Sequence, residues 1–278
     1  MADDQVPEDV MGPAGPMPLT DECHQYEGWE EMPPEISKYW RQRHDLFSLY
    51  DSGIYLTDAA WFGVTAEPIA HQIAHELANH SSHHPRIIVD LFAGAGGNTI
   101  AFALQDHWDL VVGIEIDAAT LACAQHNAAL YGVADRITWV HGDCMDFLRR
   151  LKRFPWTLAP ELRLGQKEGR VRKGGATTSL KSLARGVQLF ASPPWGGPMY
   201  SGENVLDLDA MEPYGVTALH ESMKPMAHAM FLPRNGDLNQ LASLVPDGSD
   251  EKLDVVQYCI KGSSKGMVAY YPPELEDS

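Results

Sequence analysis

The chain has 278 residues, 44% of them hydrophobic, which is enough to build the core of one large domain or two small ones. No apolar run approaches the roughly 18 residues of a membrane span, and the acidic N-terminus lacks the basic and apolar regions of a signal peptide. Four scattered cysteines without a CxxC pair argue against a disulfide framework or a zinc ribbon.

The net charge of −17 at first disfavours a nucleic-acid partner, but the charge is unevenly distributed. Residues 149–185 hold 11 Lys/Arg and two acids, so this segment is +9 and the remainder is −26. Such asymmetry is more informative than the total. The segment is either a basic insert that guides phosphate toward one place or a solvated loop.

Residues 1–35 carry ten acids, six prolines and no Lys or Arg, which predicts a disordered acidic leader. Residues 36–75 form a predicted N-terminal helical extension. It begins with "ISKYWRQRHDLFSLYDSGI" and continues into "AEPIAHQIAHELANH", whose apolar residues recur at helical spacing.

An alternation of strands and helices follows, and the predicted catalytic domain comprises residues 76–278 with a basic insert at 149–186. "RIIVD", "DLVVGIEID" and "RITWVHGD" are the first three strands, "GVQLFA" is a fourth that ends at Ser192, and residues 223–235 hold a helix and a fifth. The order predicts an α/β fold with a doubly wound, Rossmann-like parallel sheet. An antiparallel C-terminal hairpin is predicted to turn at Ser263-Ser264-Lys265.

A nucleoside-cofactor site is predicted where the first strands end, because ligands of such sheets bind beyond the carboxyl ends of the strands. Asp90 is followed by the glycine turn that contains Gly94 and Gly96, and Glu115 ends the second strand. An acid at that point can accept both ribose hydroxyls. The spacing differs from the GxGxxG of a nicotinamide dehydrogenase. Asp143 ends the third strand and either accepts from an adenine amino group beside Cys144 or caps the next helix.

The stretch "ASPPWGGPMY" places an aromatic ring on a rigid turn at the end of the fourth strand. A Ser-Pro-Pro-Trp loop at this position resembles the catalytic loop of S-adenosylmethionine-dependent amino methyltransferases. An exocyclic amine on a base is a poor nucleophile, so the protein contributes alignment and electrostatics. Ser192 and backbone oxygens would accept its N–H groups, and Trp195 would stack on the base.

Six blocks in order, from about residue 36 to about 248, resemble the trimethylguanosine synthase family of RNA cap guanine-N2 methyltransferases. They are "KYWRQRHDLFSLYDSGI", "WFGVT", "DLFAGAGGNTIAFAL", "NAALYGVADRI", "SPPWGGPMY" and "FLPRN". The resemblance implies a class I methyltransferase fold with S-adenosylmethionine as cofactor. It also implies two successive methyl transfers to N2 of 7-methylguanosine caps on small nuclear and nucleolar RNAs, in the nucleus (nucleolus or Cajal-body-like), with the cytoplasm as a further site.

The resemblance also implies residue roles by matching position. The predicted catalytic residues are Ser192, Pro193 and Trp195. The predicted cap-binding residues are Lys38, Trp195, Tyr200, Arg234 and Lys265. The predicted cofactor-binding residues are Phe47, Thr65, Asp90, Gly94, Gly96, Asn98, Glu115, Asp143 and Cys144. The sequence departs from the family pattern in having Glu115 for an Asp, Gly63 for a Ser, and the long basic insert.

Two alternative functions remain open at this stage. One is another exocyclic-amine methyltransferase, acting on RNA, DNA or protein. The other is a non-catalytic cap-binding protein on the same fold. His71 and His75 share a helix face, but no matching ligand set accompanies them, so no metal is predicted.

Overall fold

A computed structural model describes residues 13–80, 86–153, 186–196, 205–245 and 253–274. The described residues form one seven-stranded sheet in the order β3-β2-β1-β4-β5-β7-β6. Strands β1 to β5 pair in parallel, whereas β7 pairs antiparallel with both β5 and β6. The strands are β1 Ile87–Asp90, β2 Leu110–Glu115, β3 Ile137–His141, β4 Val187–Ala191, β5 Ala227–Leu232, β6 Asp254–Ile260 and β7 Ser263–Tyr271. The predicted α/β fold class, with a doubly wound sheet and a C-terminal hairpin, is therefore confirmed.

Nine α-helices occur in the described part of the chain, three of them single turns in the N-terminal segment. They are α1 Pro34–Ser37, α2 Arg43–Leu46, α3 Ala60–Gly63, α4 Glu67–His80, α5 Gly97–Leu104, α6 Ala118–Leu130, α7 Cys144–Arg153, α8 Val216–Met223 and α9 Leu238–Ser243. Helices α4, α5 and α6 cover one face of the sheet, and α7, α8 and α9 cover the other. Both faces are buried, which explains why the central strands are continuously apolar.

Strand alternation divides the core between these two faces. Ile88 and Phe190 point into the cluster under α4, α5 and α6. Their neighbours Ile87, Val89 and Leu189 point into the cluster under α7, α8 and α9. This is the two-residue period of a strand, and it orients every polar residue at the strand ends.

Local signals account for the helix bounds around the site. The Asp117 carboxylate accepts from the backbone N–H of Thr120 at 2.7 Å and so caps the start of α6. Gly132 follows the end of that helix with φ +71°, the left-handed conformation that glycine adopts at low cost.

The prediction of a disordered leader over residues 1–35 is wrong for its described part, residues 13–35. Pro13 bridges Val140 of β3, and the Ala14 N–H donates to the Trp139 carbonyl at 2.7 Å. Cys23 and Met32 are buried in the main core. The segment covers the edge of β3, whose backbone groups would otherwise lack partners, and its apolar side chains outweigh its acidic composition.

Two predicted boundaries also need correction. The division at residues 75 and 76 falls inside α4, and the N-terminal segment shares one core with the sheet. The basic insert was predicted to begin at residue 149, but α7 continues to Arg153 because Leu148 and Leu151 extend its buried face. Residues 154–185, which make up most of the insert, lie outside the described residues.

Three local predictions in the C-terminal third are also displaced. The hairpin turns at Lys261-Gly262 and not at Ser263–Lys265. Lys261 and Gly262 have positive φ (51° and 78°), as a two-residue hairpin turn requires. The helix expected within residues 223–235 lies upstream as α8, and β4 ends at Ala191, one residue early.

Candidate active site

The carboxyl ends of the parallel strands bring the predicted site residues to one edge of the sheet. Asp90 ends β1, Glu115 ends β2, and Ser192 follows β4 directly. Asp143 lies two residues after β3. A ligand at this edge would meet these side chains together.

Asp90 is fully buried at the centre of this edge. Its Oδ2 accepts from the Thr99 hydroxyl at 2.6 Å, and its Oδ1 accepts from the Phe92 N–H at 3.3 Å. Burial, reinforced by the nearby Glu115 carboxylate, raises the pKa of Asp90 to about 7. A buried carboxylate with so few donors favours the approach of a cationic group.

The glycine turn after β1 is tied to the acid that ends β2. Gly94 has φ +53°, its N–H donates to Glu115 Oε2 at 2.9 Å, and a Cβ on it would meet nothing within 4 Å. Glu115 Oε1 accepts from the Asp117 N–H at 2.9 Å, and burial raises the pKa of Glu115. Gly96 has φ +98°, and a Cβ there would come within 3.0 Å of Ile100. The backbone turn and the carboxylate therefore form one rigid unit. We call Asp90, the turn from Gly94 to Gly96 and Glu115 the cradle.

The N-terminal segment closes this cradle from the side of α5. The Asn98 amide donates to the Thr65 hydroxyl at 2.9 Å, and both side chains are buried. Among the described residues, the buried Asn98 Oδ1 has no hydrogen-bond partner. Phe47 is buried against Tyr131, and it lines a small cavity that Gly97 also lines. Thr65 and Asn98 are thus brought together, whereas Phe47 is connected to the turn only through this cavity.

Asp143 both caps α7 and contacts a residue that the sequence did not single out. Its Oδ1 accepts from the N–H groups of Met145 and Asp146 at 2.9 and 3.0 Å. Its Oδ2 accepts from the Tyr214 hydroxyl at 2.6 Å, which raises the pKa of Tyr214 to about 12. Helix capping, one of the two alternatives, is therefore present. Cys144 is buried beside it, and burial raises the pKa of its thiol to about 12.

The predicted catalytic loop is held by contacts with Phe231 of β5, and Phe231 in turn packs against β7. Trp195 is half-buried, its indole N–H donates to the Phe231 carbonyl at 3.3 Å, and its ring meets the Phe231 ring edge-on at 5.1 Å. A Cβ on Gly266 would lie only 2.5 Å from the Phe231 ring. Pro193 is buried, and the Ser192 hydroxyl lies 3.5 Å from the Phe92 carbonyl.

Phe231 and Gly266 were missed as site residues, although Phe231 opens the quoted "FLPRN" block. Tyr214 was also missed, since it lies 71 residues from Asp143. Alternation along β5 could have placed Phe231 on the side of the sheet occupied by α4, α5 and α6. No sequence signal pairs Tyr214 with Asp143.

The predicted cap-binding residues are only partly assembled. Arg234 is exposed, and its guanidinium donates to the Ser264 carbonyl of β7 at 3.3 Å, so it lies beside the strand that carries Lys265. Lys38 is exposed, with its ammonium over the Tyr39 ring at 5.1 Å. Tyr200 lies outside the described residues. Lys265, predicted in a turn, instead lies within β7.

The cradle fits a nucleoside cofactor that carries a positive charge. Asp90 supplies a buried acceptor and Glu115 a half-buried one, and the open space at Gly94 lets the backbone approach a ligand. The unpartnered Asn98 Oδ1 offers a further acceptor. No group of three His, Cys, Asp or Glu side chains suited to a metal occurs in the described ranges. His71 Nε2 instead lies 3.6 Å from Glu67 Oε1. No helix among the described residues is long and apolar enough to cross a membrane.

Comparison with known families and proteins points to one activity. The profile of the RNA cap guanine-N2 methyltransferase family matches residues 85–274. A trimethylguanosine synthase of Schizosaccharomyces pombe is 34% identical over 244 residues, covering 86% of this chain and 87% of the relative. Its Saccharomyces cerevisiae counterpart is 38% identical over 258 residues, covering 88% and 72%.

A crystal structure described as a methyltransferase from Porphyromonas gingivalis W83 shares the fold. Its TM-score is 0.55 at 16% identity, covering 90% of this chain and 57% of that longer one.

Proposed function

The chain belongs to the RNA cap guanine-N2 methyltransferase family, and on that premise we propose its substrate and the roles of its residues. As a member, it is an S-adenosylmethionine-dependent methyltransferase of RNA caps. We propose that it acts on 7-methylguanosine caps and adds two methyl groups in succession, giving 2,7-dimethyl- and then 2,2,7-trimethylguanosine. The observation that supports this most is Trp195, held on Phe231 beside the cofactor cradle.

The cradle would hold S-adenosylmethionine, which supplies an activated methyl group on a sulfonium. In this proposal the Asp90 carboxylate faces the cationic amino group of the cofactor's amino acid moiety. Glu115 accepts hydrogen bonds from the ribose hydroxyls, in addition to the one it already accepts from the Gly94 N–H. Asp143 and Cys144 border the adenine, with Thr65 and Asn98 closing the side. These groups bind and orient without changing covalently.

Trp195 would stack on the guanine. Methylation at N7 makes that ring cationic, so cation–π attraction to the indole adds to stacking. The hydrogen bond to the Phe231 carbonyl and the edge contact with its ring fix the indole before substrate arrives. A fixed ring loses little conformational entropy on binding, and a neutral guanine would bind more weakly.

Ser192 and Pro193 would orient the N2 amine. The Ser192 hydroxyl is directed at the Phe92 carbonyl, at the mouth of the cradle next to Asp90. Oxygens at this place accept N–H hydrogens and direct the nitrogen lone pair toward the methyl donor. The amine gives up one proton for each methyl group it gains, and acceptor oxygens there suit that loss.

The cap triphosphate would lie against Arg234 and Lys265, with Lys38 and Tyr200 as further ligands. Arg234 already contacts β7 through the Ser264 carbonyl. Two cations suit phosphate oxygens because charge-assisted hydrogen bonds are the stronger kind. This set extends the site from the base toward the RNA.

The RNA partners that we propose are small nuclear and small nucleolar RNAs. We further propose residence in the nucleus, in the nucleolus or Cajal-body-like compartments, with some protein in the cytoplasm. The basic insert 149–185 would contact the RNA body. Deleting residues 154–185, which spares α7, should leave cap-dinucleotide methylation intact and weaken binding to long RNA; unchanged RNA affinity would exclude this role.

Mass spectrometry of two cap dinucleotides tests the proposed function. Wild-type protein and S-adenosylmethionine are incubated with a 7-methylguanosine dinucleotide or with its plain guanosine counterpart. We expect one and then two added methyl groups on the first substrate and none on the second. Methylation of both would show that Trp195 does not read the cationic ring. Methylation of neither, with cofactor bound, would place the target elsewhere.

A further inference from the structure

The β6–β7 hairpin extends beyond the sheet at the edge where the candidate active site lies. Met267 pairs with Leu232, the last residue of β5, and β7 begins four residues earlier at Ser263. At about 3.3 Å per residue the extension is about 13 Å long. We call residues 258–266 the hairpin overhang. It stands above the carboxyl edge, beside the loop after β4.

Phe231 of β5 joins the overhang to the loop after β4. Gly266 lies against the Phe231 ring so closely that a methyl group would not fit, and the same ring contacts Trp195. Arg234 donates to the Ser264 carbonyl. A substrate stacked on Trp195 would therefore have the overhang as its neighbour.

The overhang is rigidly anchored and bent. The hydroxyls of Tyr258 and Tyr270 both bond to the Glu76 carboxylate on α4, and they lie 2.6 Å from each other. A register shift between Tyr258 and Cys259 marks a β-bulge, which bends a strand and re-aims its end. The tip meets the N-terminal segment, where the Lys261 ammonium lies 3.6 Å from Asp45 of α2.

The charge of the overhang is opposite to that of the chain. Residues 255–271 contain Lys261, Lys265 and no acid, in a protein of net charge −17. Lys261 has φ +51°, a position in a two-residue turn where Asn, Asp or Gly is usual. Its side chain is 82% exposed. Because an ion pair this exposed to solvent is weak, Asp45 holds the Lys261 ammonium only loosely.

We propose that the RNA segment following the cap crosses the hairpin overhang, with Lys261 binding the backbone phosphate beyond those held by Arg234 and Lys265. This inference rests on the proposed function, since it starts from a cap on Trp195. The 13 Å of overhang matches about four nucleotides of a stacked strand at about 3.4 Å each. Phosphate recognition by a few cations is independent of sequence and depends on salt.

The test compares binding of a 7-methylguanosine cap dinucleotide and a capped 20-nucleotide RNA across a salt series. Lys261→Asn removes the charge with a residue that favours positive φ, so the turn is kept. We expect it to bind the capped RNA about fivefold more weakly at 0.1 M salt, with the salt slope reduced by about 0.7. The affinity for the dinucleotide is expected to stay at the wild-type value.

Two further variants control for charge and folding. Arg136→Gln removes an exposed cation before β3, at the opposite edge of the sheet, and should bind the capped RNA as wild type does. Asp45→Asn removes the acid that competes for Lys261 and should bind the capped RNA more tightly than wild type. Loss of structure would not tighten binding.

If Lys261→Asn binds the capped RNA with the same affinity and salt slope as wild type, the proposed RNA path over the hairpin overhang is wrong. The proposed function would still stand if wild type methylates the dinucleotide. Equal weakening by Arg136→Gln would overturn the path too, since the effect would then be net charge alone. Failure of the proposed function is read separately, from absent methylation of the dinucleotide by wild type.

Discussion

Replacement of Asp90 by Asn should stabilise the apo protein at alkaline pH while it removes cofactor binding. The carboxylate is fully buried, and burial raises its pKa from 3.8 to about 7. A group whose pKa is raised by folding binds more protons in the folded state, so its contribution to stability is lost as pH rises toward 7. Asn retains the shape, and the Thr99 hydroxyl can accept from its amide.

The size of the effect follows from that pKa. At 1.36 kcal/mol per pKa unit, the ionised carboxylate costs the folded state at most about 4 kcal/mol at pH 8. Between pH 5.5 and pH 8 the stability advantage of the variant should grow by about 2 kcal/mol. The cofactor affinity should change in the opposite direction, because a neutral amide offers no charge to the cationic ligand.

Urea unfolding of both apo proteins at the two pH values measures the first effect, and calorimetric titration of S-adenosylmethionine measures the second. Asp135→Asn is the matched control, because it makes the same change from carboxylate to amide at an exposed position. A variant that is less stable at pH 8, with the same pH dependence as wild type, would refute the reasoning and make Asp90 a structural residue.

Three other substitutions, one of them with a matched glycine control, test the candidate site. Trp195→Ala should raise KM for the cap about 5- to 150-fold, from stacking worth about 1–3 kcal/mol, and leave the cofactor Kd unchanged; an equal loss of cofactor binding would make the indole structural. Gly266→Ala should overpack the Phe231 ring, costing about 1–3 kcal/mol of stability and raising the cap KM. Gly63→Ala, with nothing within 4 Å, should do neither, and identical melting curves and cap KM values for the two would contradict this. Tyr214→Phe should raise the cofactor Kd about fivefold by removing a hydrogen bond to the carboxylate after β3, which titration calorimetry would reveal; an unchanged Kd would mean that the hydroxyl plays no part.

The strand ends and the catalytic loop could be read from the sequence because they are encoded locally. Ile87-Ile88-Val89 ahead of Asp90 marks a buried strand, and the glycines after it mark the turn. The helix that follows β2 has its own side-chain cap at Asp117, whereas the helix that follows β1 begins directly at the glycine turn. In a parallel sheet all the carboxyl ends lie at one edge, so knowing the strand order is enough to assemble Asp90, Glu115 and Ser192.

Composition alone gave the wrong prediction for residues 13–35. Their acids and prolines indicated disorder, yet Ala14 pairs with Trp139 and Cys23 is buried. The free edge of β3 supplies partners that no local pattern of residues 13–35 shows. The same holds for the first residues of the basic insert, where Leu151 continues the buried face of α7.

The sequence by itself thus determined the fold class, the succession of strands along the chain and, to within two residues, where the parallel strands end, since each depends on neighbours a few positions away. Only the tertiary structure decided how those residues are held. Tyr214 reaches Asp143 across 71 residues, Phe231 fixes Trp195 across 36, and Lys261 meets Asp45 from the far end of the chain. Such contacts arise where separate elements pack together, and side-chain periodicity within one element carries no information about its partner in space.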